Sequence, residues 1–220
     1  MTASQPAKPR QVVFDLDGVI ASHDTMAALI QRQLLSNPLR AIVGALPAIA
    51  WTFLRRFPGT RVRMSRALGS IALSGLTRER YVTLAAEVGR TLGTDPAWVI
   101  PSGLAAIRQH LDDGDVVVVT TGTEELLSRA FLDTLGLQRV MLVATTARFG
   151  RAFARYDNHN LGERKVANLD GRVIDLFYTD SDLDLAVAKL SARTVLVNPD
   201  ARLERVFRAE IADLTVVNWA

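Results

Sequence analysis

Asp15 and Asp17 stand one residue apart directly after the apolar residues 12–14, and Gly18 follows them. Acids at the end of a buried strand, where the chain turns, face a ligand more often than solvent. A carboxylate can attack phosphorus and form an aspartyl-phosphate. A second carboxyl two residues on points the same way along an extended chain, so it can protonate a leaving oxygen and then activate water. Gly18 lets the backbone turn sharply with no side chain filling the space. Further along, four valines end in Thr120, Thr121 and Gly122, and another apolar run ends in Asp180, Asp182 and Asp184. Lys165 opens a short helical stretch before that run. Packed aspartates repel one another, and a hard divalent cation relieves this. Mg²⁺ typically takes one or two carboxylates plus substrate phosphate. A hydroxyl, an ammonium and free backbone amides bind phosphoryl oxygens.

These residues converge only if their strands lie side by side. The pattern predicts strands over 11–14, 115–120, 139–145, 172–179 and 194–198, with a last one near 214–219. Helices over 104–114, 124–136, 162–169, 182–191 and 201–210 alternate with them, and residues 147–160 form a hairpin or loop. That alternation implies α/β architecture: a doubly wound parallel sheet covered on both faces. Ligands then bind beyond the carboxyl ends of the strands. Residues 22–95 break the rhythm. Breaks at 36–38, 57–59, 74–77 and 93–96 imply about four helices, with Thr77 capping the last. The expected organisation is a disordered tail over 1–10, a core of 11–20 and 100–220, and a helical cap over 21–99.

Four motifs in chain order carry a family resemblance: "DLDGV" at Asp15, the strand ending at Thr120, Lys165 in "GERK", and "DSDLD" at Asp180. Together they resemble the haloacid dehalogenase-like phosphatases, with their Rossmannoid core. The helical insert after the first motif looks like the cap of the branch that includes phosphoserine phosphatase. The resemblance implies an Mg²⁺-dependent phosphomonoester hydrolase whose cap closes over a small phosphorylated substrate. It implies Asp15 as nucleophile and metal ligand, and Asp17 as general acid/base with its backbone carbonyl on the metal. Thr120, with Thr121 and Gly122, would hold the phosphoryl oxygens, and Lys165 would neutralise their charge. Asp180 would ligate Mg²⁺, and Asp184 would support it. Asp24 falls near the glutamate that reads the substrate amino group in that branch, one methylene shorter. Arg61, Arg63 and Arg66 are candidates for its substrate-carboxylate arginine, and Arg63 and Arg66 join Asp24 as substrate-selecting residues. Thr179 stands where the family often has glycine, and "TTGT" replaces serine followed by glycines. Both departures point away from phosphoserine more than from phosphatase chemistry. A phosphotransferase or mutase, or a membrane-surface module without catalysis, are the alternatives.

Composition narrows the classes. The 220 residues are 49% hydrophobic, enough for a sizeable core. The absence of cysteine excludes disulfides and thiolate metal sites and fits a reducing, cytoplasmic setting. Three histidines (His23, His110, His159) show no zinc-ligand spacing. The N-terminal residues carry no signal-type apolar stretch. Net charge is +3, yet residues 31–90 hold ten arginines against two acids, a local +8 that leaves −5 elsewhere. Such a segment meets something anionic. Nucleic acid is not expected, because no run of stacking aromatics interleaves the arginines. The apolar run 41–54, 14 residues followed by Arg55 and Arg56, is shorter than the roughly 20 that span a bilayer. It fits either a buried helix or a peripheral membrane contact. An oligomeric state is not legible.

Overall fold

The structure, a computed structural model, describes residues 8–36, 38–39, 41–43, 45, 49, 58–149 and 154–219. Seven strands form one sheet in the order β4-β3-β2-β1-β5-β6-β7. They are β1 Gln11–Asp15, β2 Val116–Glu124, β3 Met141–Phe149, β4 Ala154–Asn158, β5 Leu176–Thr179, β6 Thr194–Val197 and β7 Leu214–Val217. All neighbours pair parallel except β3 and β4, which form the antiparallel hairpin at one edge.

β1 is central because its alternating side chains serve two cores. Val12 and Phe14 join one buried cluster, and Val13 joins another with Val118, Phe177 and Leu196. A strand apolar on both faces must be covered on both. The covering helices beyond the insert are α4 Pro101–Asp112, α5 Glu125–Thr134, α6 Glu163–Asn168, α7 Leu185–Ala188 and α8 Ala201–Glu210. Strand β5 is shorter than expected: Ile174 forms only an isolated bridge with Ser191, and the ladder begins at Leu176.

Between β1 and β2 lie α1 Thr25–Leu35, α2 Pro58–Ala72 and α3 Arg78–Thr94. Thr77 caps α3 by accepting from the Arg80 amide at 3.3 Å. Described residues between α1 and α2, such as Leu39, Ile42 and Val43, are helical and exposed. Most of the run 41–54, Arg55 and Arg56, the aromatics Trp51, Phe53 and Phe57, and the Arg61 side chain lie outside the described residues.

Helix α3 packs on α5 at very short range. A Cβ on Gly89 would meet Ala130 Cβ at 2.6 Å, and one on Gly93 would meet Thr134 Cβ at 2.8 Å. Tyr81 crosses the same boundary and donates to Glu124 Oε2 at 2.7 Å. Tyr81, Val88 and Leu92 belong to the same buried cluster as Leu127, Phe131 and Phe14. At the amino ends of β1 and β2, Arg10 donates to Asp115 at 2.7 Å and its carbonyl accepts from Val116, so the described chain already includes this residue of the expected tail.

Candidate active site

Register aligns the first three site residues. Asp15 pairs with Thr120 on one side, and Phe14 pairs with Tyr178 on the other, which puts Thr179 beside Asp15. The carboxyl ends of β1, β2 and β5 thus form one rim. Lys165 reaches that rim from α6, fully buried. Its Nζ donates to Asp15 Oδ1 at 3.0 Å and to Asp184 Oδ2 at 2.9 Å. Asp184 Oδ1 lies 2.8 Å from the same ammonium. Thr179 Oγ1 donates to Asp184 Oδ2 at 2.9 Å and accepts from the Ser181 amide at 3.2 Å. The residue that departs from the family's usual glycine therefore orients the supporting acid.

Asp17 is held by other groups. Oδ1 accepts from the Thr25 amide at 2.8 Å, and Oδ2 accepts from Thr123 Oγ1 at 2.8 Å and Thr121 Oγ1 at 3.4 Å. Asp180 meets the first loop at Gly18, which has φ +82°. A Cβ there would lie 1.9 Å from Asp180 Oδ2. Only glycine leaves room for this approach.

Burial sets the electrostatics. Desolvation raises Asp15 well above the usual carboxylate range, against the Lys165 charge that lowers it. Asp17 is pushed up to about 6, by burial first and by Asp24 next. Asp180 is pushed up to about 7, by burial and then by Asp184 and Asp17. Two buried acids, Asp15 and Asp184, share the Lys165 ammonium, with Asp17 and Asp180 half-buried nearby; desolvation lowers Lys165, and its two acid partners outweigh that and raise it. The donor set is all oxygen, crowded and short of positive charge. That chemistry fits Mg²⁺ on the carboxylates of Asp15 and Asp180 and the Asp17 carbonyl. Among the described residues a tighter group, His110, Asp113 and Asp115, also gathers three potential ligand atoms. It sits at the other end of β2, and Arg10 already occupies it, 2.7 Å from Asp115 and 3.8 Å from Asp113.

Thr120 and Thr121 both lie within β2, which extends past the expected end at 120. β2 runs on to Glu124 with a register irregularity after Thr120, and Glu124 caps α5 through the Leu126 amide at 2.9 Å. The backbone after Thr120 is thus bulged strand, and Thr121 turns its hydroxyl toward Asp17. Gly122 packs under Leu161, and its carbonyl accepts from Thr145 Oγ1 at 2.7 Å. Asp24 caps α1, accepting from the Ala27 amide at 2.8 Å, so its carboxylate is engaged by its own helix. Arg63 is exposed, whereas Arg66 reaches His159 at 2.9 Å. His23 only bonds Ser22 and tilts against Trp98.

The sequence places Asn160 in a loop that could bring it near the phosphate. It is fully buried, and the two N–H bonds of its Nδ2 are shared among three acceptors, Thr120 Oγ1 (3.0 Å), Thr121 O (3.0 Å) and Val143 O (2.9 Å). Asn168 donates to Asn160 Oδ1 at 2.8 Å, and Asn158 donates to Asn168 Oδ1 at 2.9 Å. Thr120 therefore spends a lone pair on Asn160 and keeps its own proton to donate into the site. The run "NHN" was the only signal, because Asn tolerates loops and cores alike.

A mostly parallel sheet with paired acids at the end of β1, a hydroxyl on β2 beside them and a lysine–aspartate couple next to β5 defines a class of hydrolase. The chain belongs to the haloacid dehalogenase-like hydrolases, whose family model matches residues 12–189. Its fold is similar to that of a protein of unknown function from Bordetella pertussis Tohama I, with a TM-score of 0.73 and 17% identity over 94% of this chain and 98% of that one. An apo phosphoserine phosphatase gives 0.59 and 16% over 95% and 94% of the two chains. Cytosolic 5'-nucleotidase IIIB bound to cytidine gives 0.63 and 12% over 95% and 80%.

Proposed function

We propose that the protein is an Mg²⁺-dependent phosphomonoesterase working through an aspartyl-phosphate on Asp15. The observation that carries this reading is the buried Lys165 ammonium 3.0 Å from Asp15, with Thr120 as the neighbour of Asp15 across the sheet. An Asp15 carboxylate oxygen attacks phosphorus while the bond to the leaving oxygen breaks. Asp17, pushed up to about 6, gives its proton to that oxygen. It then takes a proton from water as the water attacks phosphorus, and the bond to Asp15 breaks. Lys165 and the Thr120 hydroxyl hold phosphoryl oxygens throughout. Bound Mg²⁺ would balance the charge of the acids and of the phosphoryl group. In the presence of Mg²⁺, Asp15→Asn should cut hydrolysis of an aryl phosphate by at least about a thousandfold. Near-normal activity in that variant removes Asp15 as nucleophile. Product analysis with added alcohols separates hydrolysis from phosphotransfer.

The insert favours a substrate presented at a lipid surface, a phospholipid or prenol phosphate, over a freely soluble metabolite. Leu35, Leu39, Ile42, Val43 and Ile49 are 56% to 73% exposed, within a segment of local charge +8. Aliphatic side chains among arginines suit peripheral contact with an anionic bilayer. No helix among the described residues is long and apolar enough to cross a membrane. Sedimentation with anionic vesicles, beside turnover of a long-chain phosphate, tests this. Binding without turnover favours a non-catalytic module, and no binding favours a soluble substrate.

A further inference from the structure

Three elements meet at the Asp17 carboxyl, and they hold its two oxygens in different ways. Oδ1 accepts from the backbone amide of Thr25, the first residue of α1, at 2.8 Å. Oδ2 accepts from Thr123 Oγ1 of β2 at 2.8 Å, with Thr121 Oγ1 farther off at 3.4 Å. Thr121 Oγ1 itself accepts from the Thr123 amide at 3.0 Å. Behind this contact, Thr123 Oγ1 lies 3.1 Å from Thr25 Oγ1. A hydroxyl has a single proton. While that of Thr123 goes to Asp17, Thr25 is therefore the donor of the pair. Thr25 and Thr123 are 0% and 2% exposed, so bulk water replaces neither hydroxyl.

The two oxygens differ in what they can become. A peptide N–H only donates, so Oδ1 stays an acceptor. A hydroxyl donates or accepts, so Oδ2 keeps its partner with or without a proton. We propose that Thr123, backed by Thr25, is a positioning residue for proton transfer, which fixes Asp17 with Oδ2 as the oxygen that carries the proton. This role rests on the phosphomonoesterase reading. As the bond from phosphorus to the leaving oxygen breaks, the proton on Oδ2 passes to that oxygen, and Thr123 donates to the carboxylate left behind. In the second step Oδ2 takes a proton from the attacking water while the bond from phosphorus to Asp15 breaks, and Thr123 accepts from the acid that results. Both states of Asp17 are thus hydrogen-bonded, where an unpaired partner inside the protein would be costly. Thr123 closes the "TTGT" run, the stretch in which this chain departs from serine followed by glycines.

The test compares p-nitrophenyl phosphate with benzyl phosphate, using the full chain in Mg²⁺. p-Nitrophenolate departs without a proton, whereas an alkoxide takes one as it leaves. The ratio of the two kcat/KM values reads that difference, and because it is taken within one preparation, loss of folded protein cancels. Thr123→Val keeps the shape and removes the hydroxyl. It should lower kcat/KM for benzyl phosphate at least about tenfold more than for p-nitrophenyl phosphate. Thr123→Ser should return the ratio to near the wild-type value, and Thr25→Val should move it the same way by a smaller factor. Asp17→Asn should show a larger bias of the same kind, to which Thr123→Val adds little. An unmoved ratio in Thr123→Val, a bias that serine does not restore, or a full extra loss in the double variant overturns this proposal and leaves the phosphatase reading standing. Should the wild type hydrolyse neither ester, the phosphatase reading falls and the role of Thr123 falls with it.

Discussion

Lys165 Nζ stands 3.0 Å from Asp15 Oδ1 and 2.8 Å from Asp184 Oδ1, with the lysine 1% exposed. One ammonium thus bridges two buried acids, the last residue of β1 and the residue that opens α7. Removing it leaves two buried carboxylates facing each other. Lys165→Met should lose about 3–5 kcal/mol of stability in urea unfolding without metal. Asp184→Asn in the same chain should recover part of that, because the two sites are in contact. Additive losses would show that the couple does not act as a unit.

Asn160 is expected to matter through Thr120. Asn160→Ala should lower kcat/KM by about tenfold, and much of that loss should vanish in a Thr120→Val background. Asn160→Asp should be worse than alanine despite its shape. It sets an acceptor against the carbonyls of Thr121 and Val143, 3.0 and 2.9 Å away. An aspartate variant as active as wild type contradicts the donor role.

Gly18→Ala combines a left-handed backbone with a direct clash against Asp180. The backbone alone costs about 1–2 kcal/mol. Displacing Asp180 should also raise the Mg²⁺ concentration needed for half-maximal turnover. Metal titrations of wild type and variant, run side by side, check this.

The His159 imidazole gives stability a definite pH slope. The unfolded ring binds a proton near its ordinary value of about 6.5, whereas the folded one does so only at about 4. Its contribution is complete above pH 6.5 and is lost as pH falls toward 4, by at most about 3 kcal/mol. The raised acids Asp17 and Asp180 slope the other way, so the readout is a difference. Urea midpoints from pH 4 to 8 should fall less steeply on the acid side in His159→Gln than in wild type. Parallel curves would show that the ring titrates normally.

Much of the rim was legible in the sequence, because its residues sit at the ends of strongly apolar strands. Asp15, Thr120, Lys165 and Asp184 needed only strand adjacency to meet. What stayed hidden was lateral. The asparagine run from Asn158 to Asn168 and the threonines around Asp17 act across elements, and no local periodicity encodes such pairings. Asp24 also has a partner in its own helix. An acid before a helix caps it by default, and here burial and the Ala27 amide keep it there. The end of β2 was misplaced because Thr-Thr-Gly-Thr reads as a turn, while pairing of Glu124 with Thr145 holds it extended.

The close seating of α3 on α5 has a consequence for what can be cut apart. Gly89 and Gly93 admit no side chain at that seam, and the Tyr81 hydroxyl is anchored on the acid that starts α5. Excising residues 21–99 would strip the cover from Leu127 and Phe131 and leave the sheet half bare. The border near residue 99 therefore divides the connectivity of the chain and not its cooperativity: both halves should melt together, in one transition.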